Sequence, residues 1–307
     1  MMPRKNGLFV KAPLVAAGFL SVTGAVFADG PAAADSLPVI AVNREVGLSV
    51  TGSYRGQASN SDSRFSYGYA GRSPSYTSVD YGRTRWSGWM PGFQADAQSM
   101  FDAGSIKHLY TAASFDLSDG DSGYRYSSMP SNGPYVLRDR RTLNRSGINV
   151  TGELGKGFLL AHDRFLITPV IQGRYFAGGV SSLTASGKGY VGLALHLDYA
   201  ITDRLVIRGR AGWAQVLQAT GADSSRPQWR GDVGLDYRLT RSLHLTGGIR
   251  YTYMKTTPVH GSPLYYYTVY RAGSDVGLDT DSQFHSSYRV RSWENDVQLR
   301  LGLAYQF

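Results

Sequence analysis

The final residues, 294–307, read ENDVQLRLGLAYQF, and Val297, Leu299, Leu301, Leu303 and Tyr305 alternate there with Gln298, Arg300, Gly302, Ala304 and Gln306. A period of two is the signature of a β-strand, because successive side chains point to opposite faces. The same period runs through residues 46–54, 89–101, 107–117, 148–160, 165–176, 190–199, 205–216, 229–239 and 243–254. Each segment sets an apolar face against a polar one, so the chain is predicted to be all-β with about ten strands.

The links between these segments sort the possible β architectures. Four are short, at 102–105, 161–164, 201–204 and 240–242, whereas 57–78, 118–147, 177–189, 217–228 and 255–290 are long. Long and short links alternate strictly. A sandwich has no reason to sort its connections in this way. A transmembrane antiparallel barrel does, with short periplasmic turns and long extracellular loops. In hydrocarbon every backbone amide needs a partner, so such a sheet must close on itself. Its outer face must be apolar and its inner face can be polar, which sends Arg300 into the lumen.

The address agrees with this. Arg4, Lys5 and Lys11 flank the apolar stretch 12–27, and Val26-Phe27-Ala28 has the small residues of a cleavage site. Residues 1–28 therefore read as a secretory signal peptide, 29–42 as an N-terminal linker and 43–307 as the barrel domain, destined for the bacterial outer membrane. The chain has no cysteine, which excludes disulfides and thiolate chemistry. Its formal charge is +9, and loss of the three signal-peptide cations lowers it to +6. A basic exported barrel suits anionic outer-membrane lipid and lipopolysaccharide, not nucleic acid.

The ending Tyr305-Gln306-Phe307 resembles the C-terminal signature of bacterial outer-membrane proteins. That resemblance implies the barrel-assembly machinery as a partner, with Tyr305 and Phe307 as the assembly signal. Ten strands, five outer loops and strands long enough to project beyond the bilayer resemble the omptins, a family of outer-membrane endopeptidases. Residues 147–174 and 295–307 carry the likeness in pattern. It implies a site with two acidic residues on one wall and an Asp–His pair on the other. Asp119 and Asp121 stand where the acidic pair would be, while the facing loop, 218–228, holds Asp223 and no histidine. Asp281 and His285, in the fifth loop, are the remaining weak candidates for catalysis.

The inward-facing charges form a larger set. Glu153, Asp198, Asp232, Asp236 and Asp296 share the polar face with Arg174, Arg208, Arg210, Arg230, Arg250 and Arg300. A ten-stranded barrel is narrow, so both signs interleaved predict a lumen plugged by paired charges, with His196 and His244 as further members of the network. In the second loop, Arg138, Arg140, Arg141 and Arg145 are candidates for the phosphates of lipid A, since arginine binds phosphate bidentately. The aromatic run 264–270 extends strands above the membrane or presents a surface to an extracellular ligand or polysaccharide. No nucleophile, cofactor or metal motif is present, and no cofactor or metal is expected. Two functions remain open: a surface or structural barrel serving adhesion, envelope integrity or limited permeation, and an outer-membrane hydrolase, omptin-like protease or lipid-modifying enzyme, with its site in the loops.

Overall fold

A computed structural model describes residues 37–69, 76–130, 137–180, 186–219, 227–255, 259–260, 266–267 and 282–307. The signal-peptide stretch, Asp281 and the aromatic run, except for Tyr266 and Tyr267, lie outside the described residues.

Among the described residues, thirteen strands form one antiparallel sheet. The strands are β1 (Glu45–Tyr69), β2 (Tyr76–Ala103), β3 (Ile106–Pro130), β4 (Leu137–Lys156), β5 (Phe158–Leu160), β6 (Phe165–Val180), β7 (Ser186–Ala200), β8 (Leu205–Ala219), β9 (Gln228–Arg238), β10 (Leu243–Lys255), β11 (Val259–His260), β12 (Tyr266–Tyr267) and β13 (Ser282–Gln306). Three of these, β5, β11 and β12, are two or three residues long. The other ten form the wall, and β13 pairs with β1 from Gln306↔Glu45 up to Ser282↔Tyr69, which closes it. No edge is left unpaired along that seam.

The strands turn their apolar sets outward. Val297, Leu299, Leu301, Leu303 and Tyr305 are exposed on β13, as are Val46, Leu48, Val50 and Tyr54 on β1. An apolar exterior this extensive is a surface made for lipid. The band holds about five same-face residues per strand, matching the ~9–11 residues of a membrane-crossing strand. Aromatic side chains rim it. Tyr54, Trp89, Trp213, Trp229 and Tyr251 stand exposed toward the loop end, and Tyr199, Tyr237 and Tyr305 toward the turn end. Girdles of this kind mark the two bilayer interfaces. At the upper one the Trp89 ring lies across Gly52, where a Cβ would come 2.0 Å from the indole. Glycine there lets the ring lie flat on the wall.

Above the girdle the wall continues. β2 has 28 residues, which at ~3.3 Å per residue and a tilt near 40° rise about 70 Å. The apolar band is about 25 Å tall, so much of the sheet stands clear of it. Two expected loops are corrected accordingly. Residues 57–69, 76–78, 118–130 and 137–147 are strand, and 70–75 and 131–136 lie outside the described residues. The pattern failed there because a strand with two polar faces has no apolar alternation to read.

The lower end is closed by the chain itself. Residues 37–42, read from sequence as linker, enter the lumen as the short helix α1 (Pro38–Ala41) and its flanks. Val39, Ile40 and Val42 pack there with Met100, Tyr110, Leu166 and Val206 in the one sizeable apolar cluster of the described interior.

Candidate functional site: a charged lumen and an arginine band

Alternation along each strand delivers the inward residues to the lumen in tiers. The lowest tier lies on α1. Arg208, on β8, sends Nε to Asp198 (3.2 Å), Nη1 to Glu45 (2.9 Å) and Nη2 to Asn43 (3.2 Å) and Gln98 (3.0 Å). Asn43 in turn donates to Asp198 at 2.8 Å and to the Val39 carbonyl at 2.8 Å. His244 stands beside Asp236, with Nδ1 2.8 Å from the carboxylate. To one side His196 lies 3.4 Å from Glu153 and edge-on to the Tyr110 ring.

The middle tier centres on Asp232, whose side chain is fully buried. Arg300 donates to it at 2.8 Å and Arg250 at 3.3 Å. Arg250 also reaches Gln298 (2.7 Å) and Gln94 (3.4 Å), and Gln298 donates to Asp116 at 2.7 Å. These bonds run from β10 to β2 and from β13 to β3, on separated parts of the wall. In the upper tier Arg55 pairs with Asp296 at 2.8 Å and lies 4.9 Å from the centre of the Phe176 ring. Arg174 donates to Asn149 and Gln228. Arg210 and Arg230 complete the inward set, lining the central cavity with Arg208, Arg250 and Arg300.

Buried charge is costly unless it is paired and fully hydrogen-bonded, and most of these groups meet partners from other strands. The cavities between these side chains are small. The central cavity offers the centre of a water molecule about 50 Å³, and the upper one about 20 Å³. At roughly 10–15 Å³ per water, the first holds a few waters and the second about one.

All eleven charges read from sequence as inward thus face the lumen. The other candidates are distributed differently. Asp119 and Asp121 lie on β3, not in a loop, and both are exposed on the outer wall, with Ser118 and Ser122 taking the inward positions. They therefore face away from any cleft at the mouth. Asp281 lies outside the described residues, and His285 is described only as a position on β13, opposite Ser66. The cluster in the second loop is strand too, and its pleat divides it. Arg138 and Arg140 point outward, whereas Arg145 is buried inside. Arg141 has the inward parity but is exposed at that height; it pairs with Asp139 and lies over the Tyr124 ring. The bond to Asp139 raises the pKa of Arg141.

Pairing exposes a basic surface that the sequence left scattered. Arg85, Arg125 and Arg140 are directly opposite one another across β2, β3 and β4. Ala58, Trp293 and Lys255 continue that row over β1, β13 and β10. The next row up is Arg291, Asn60, Arg83, Ser127 and Arg138. Seven of these eleven outward residues are cations and none is a carboxylate. On β2 the rows begin four residues above Trp89, or about 13 Å along the strand. That is headgroup height, beyond the hydrocarbon.

No protein-family model matches the chain, and no curated protein matches it in sequence. Among solved structures, the outer membrane protease OmpT from Escherichia coli is 11% identical over 85% of this chain and 97% of its own, at a TM-score of 0.43. The β domain of the Bordetella autotransporter BrkA is 13% identical over 86% and 100%, at 0.39. The outer membrane protein OprG from Pseudomonas aeruginosa is 9% identical over 86% and 98%, at 0.32. At these distances the likeness says nothing of activity.

Proposed function

We propose that the chain is an outer-membrane barrel with a structural role at the cell surface: it stays closed to solutes and strengthens the envelope by holding lipopolysaccharide against its outer wall. The observation that carries this reading is the arginine band. Like charges directly opposite one another in a sheet are destabilising, so Arg85, Arg125 and Arg140 in one row call for anionic partners. None is supplied by the neighbouring outward side chains of the two rows. Phosphates at headgroup height meet the need, and guanidinium groups engage them bidentately. The lumen supports the same reading, because long side chains bond across it and the cavities among the described residues are of water size. Assembly through the terminal signal, Tyr305 and Phe307, belongs to the proposal, with the barrel-assembly machinery as partner.

The test reverses the band. Arg85→Glu/Arg125→Glu/Arg140→Glu leaves the lumen and the apolar belt untouched. The purified variant is expected to retain much less lipopolysaccharide than wild type. Cells carrying it should admit bulky hydrophobic antibiotics as cells without the protein do. Unchanged retention of lipopolysaccharide by a correctly folded variant contradicts the proposal.

A further inference from the structure

We infer that Glu45, Asp236 and His244 form a binding site for a divalent transition-metal cation of the zinc or manganese class, set in the barrel wall where its first and last strands meet. Glu45 opens β1, Asp236 lies near the end of β9, and His244 is the second residue of β10. In the sheet these strands run β9, β10, β13, β1, so the three side chains converge across the closing seam. Each is about 1% exposed. One ligand atom from each lies within 4.8 Å of the other two.

The imidazole is held from its other side, with Nε2 3.1 Å from Gln306 Oε1. An amide oxygen only accepts, so Nε2 is the donor and Nδ1 is the atom turned toward the carboxylates. Nδ1 lies 2.8 Å from Asp236 Oδ1 and 3.7 Å from Glu45 Oε2. Three such groups this close need a positive charge among them, supplied by a proton on Nδ1 or by a metal cation. Glu45 Oε2, Asp236 Oδ2 and His244 Nδ1 are also buried with no hydrogen-bond partner.

The local charge points the same way. Glu45, Asp198 and Asp236 are three buried carboxylates, and Arg208 is the cation bonded among them, at 2.9 Å from Glu45 and 3.2 Å from Asp198. One guanidinium bonded among three buried carboxylates leaves acidic oxygens short of positive charge, which is costly away from water. A dication offsets it. One imidazole nitrogen with two carboxylates is a donor set that zinc takes with a water in the fourth position, and manganese also accepts such oxygen-rich ligands. Gln306 does what an outer partner does in such sites, taking the other ring N–H and fixing the tautomer. An ion there ties β1 to β9 and β10 and reinforces the seam. Glu45 stands 191 residues before Asp236, so no spacing motif announces the set.

Refolded full-length barrel, stripped with a chelator, would be loaded with Zn²⁺ or with Mn²⁺, desalted and assayed for metal. The expected result is one equivalent per chain and a higher temperature for the heat-induced mobility shift on electrophoresis. His244→Ala and Asp236→Asn should lose both effects, and His162→Ala, on the exposed turn 161–164, should keep them. Should the seam variants fail to fold, Mn²⁺-loaded wild type decides alone: its electron spin echo should show coupling to one imidazole nitrogen. No retained metal in wild type, equal retention in folded His244→Ala, or no nitrogen coupling overturns the inference. So does an imidazole carrying protons on both nitrogens at neutral pH in metal-free and metal-loaded samples alike.

Discussion

Asp232 shows how much depends on single side chains in this lumen. It is fully buried and accepts from both Arg300 and Arg250. Asp232→Asn removes the charge and leaves two buried guanidiniums facing each other, which should cost about 3–5 kcal/mol. Arg300→Gln should cost less, because Arg250 still neutralises Asp232 and glutamine still donates. Leu301→Arg moves a cation one residue along, onto the lipid face, where it costs about 2–4 kcal/mol near the midplane. Refolding free energies in lipid vesicles check the order, with Arg300→Gln the mildest of the three. If it proves the most damaging, the inside–outside assignment of β13 is wrong, since a one-residue slip exchanges the faces. Arg300 was readable from its two leucine neighbours, because alternation fixes direction. Its partner was not, because Asp232 lies 68 positions away in the chain and pairing across a barrel depends on register. Glu45 and Arg55 were missed because each stands one residue outside the apolar segment 46–54, whereas β1 begins at Glu45 and runs on to Tyr69.

Among the elements, the membrane-crossing parts of the strands were legible and their upper halves were not. Lipid imposes an apolar period on about ten residues per strand, and above that height both faces of β1, β2, β3 and β4 are polar. The short turns were placed well, since they are bounded by apolar periods on both sides. At the turn between β2 and β3, Gly104 takes φ +58°, a left-handed conformation that glycine adopts without penalty. Helix α1 was invisible in another way. Four residues, Pro38–Ala41, are too few for a helical period, and their apolar character reads equally well as the tail of an export segment. The revised strand ends change where a protease should cut. Residues 118–130 and 137–147 belong to hydrogen-bonded β3 and β4, so cleavage of intact cells in this region should fall within 131–136. Mass spectrometry of the released fragments checks it. Cuts inside 118–130, or at the turns 161–164 and 201–204, would contradict the strand extension or the orientation.

At the scale of the whole molecule, closure of the sheet, an apolar belt, a charge-crossed lumen and a basic band form one arrangement. Ten strands make a barrel narrow enough for side chains from opposite walls to meet. Arginine and glutamine, long enough to cross it, carry most of those bonds. The lower end is closed again by residues 37–42 packed on Met100, Tyr110 and Leu166. The central claim is that this wall encloses side chains and not a pathway. It is tested most directly by the ionic conductance of purified, refolded wild-type barrel in planar lipid bilayers, with folding verified by heat-modifiable migration. The account predicts no steady ohmic current per inserted barrel beyond brief, low events. Stable, voltage-independent open steps like those of a water-filled pore would contradict it.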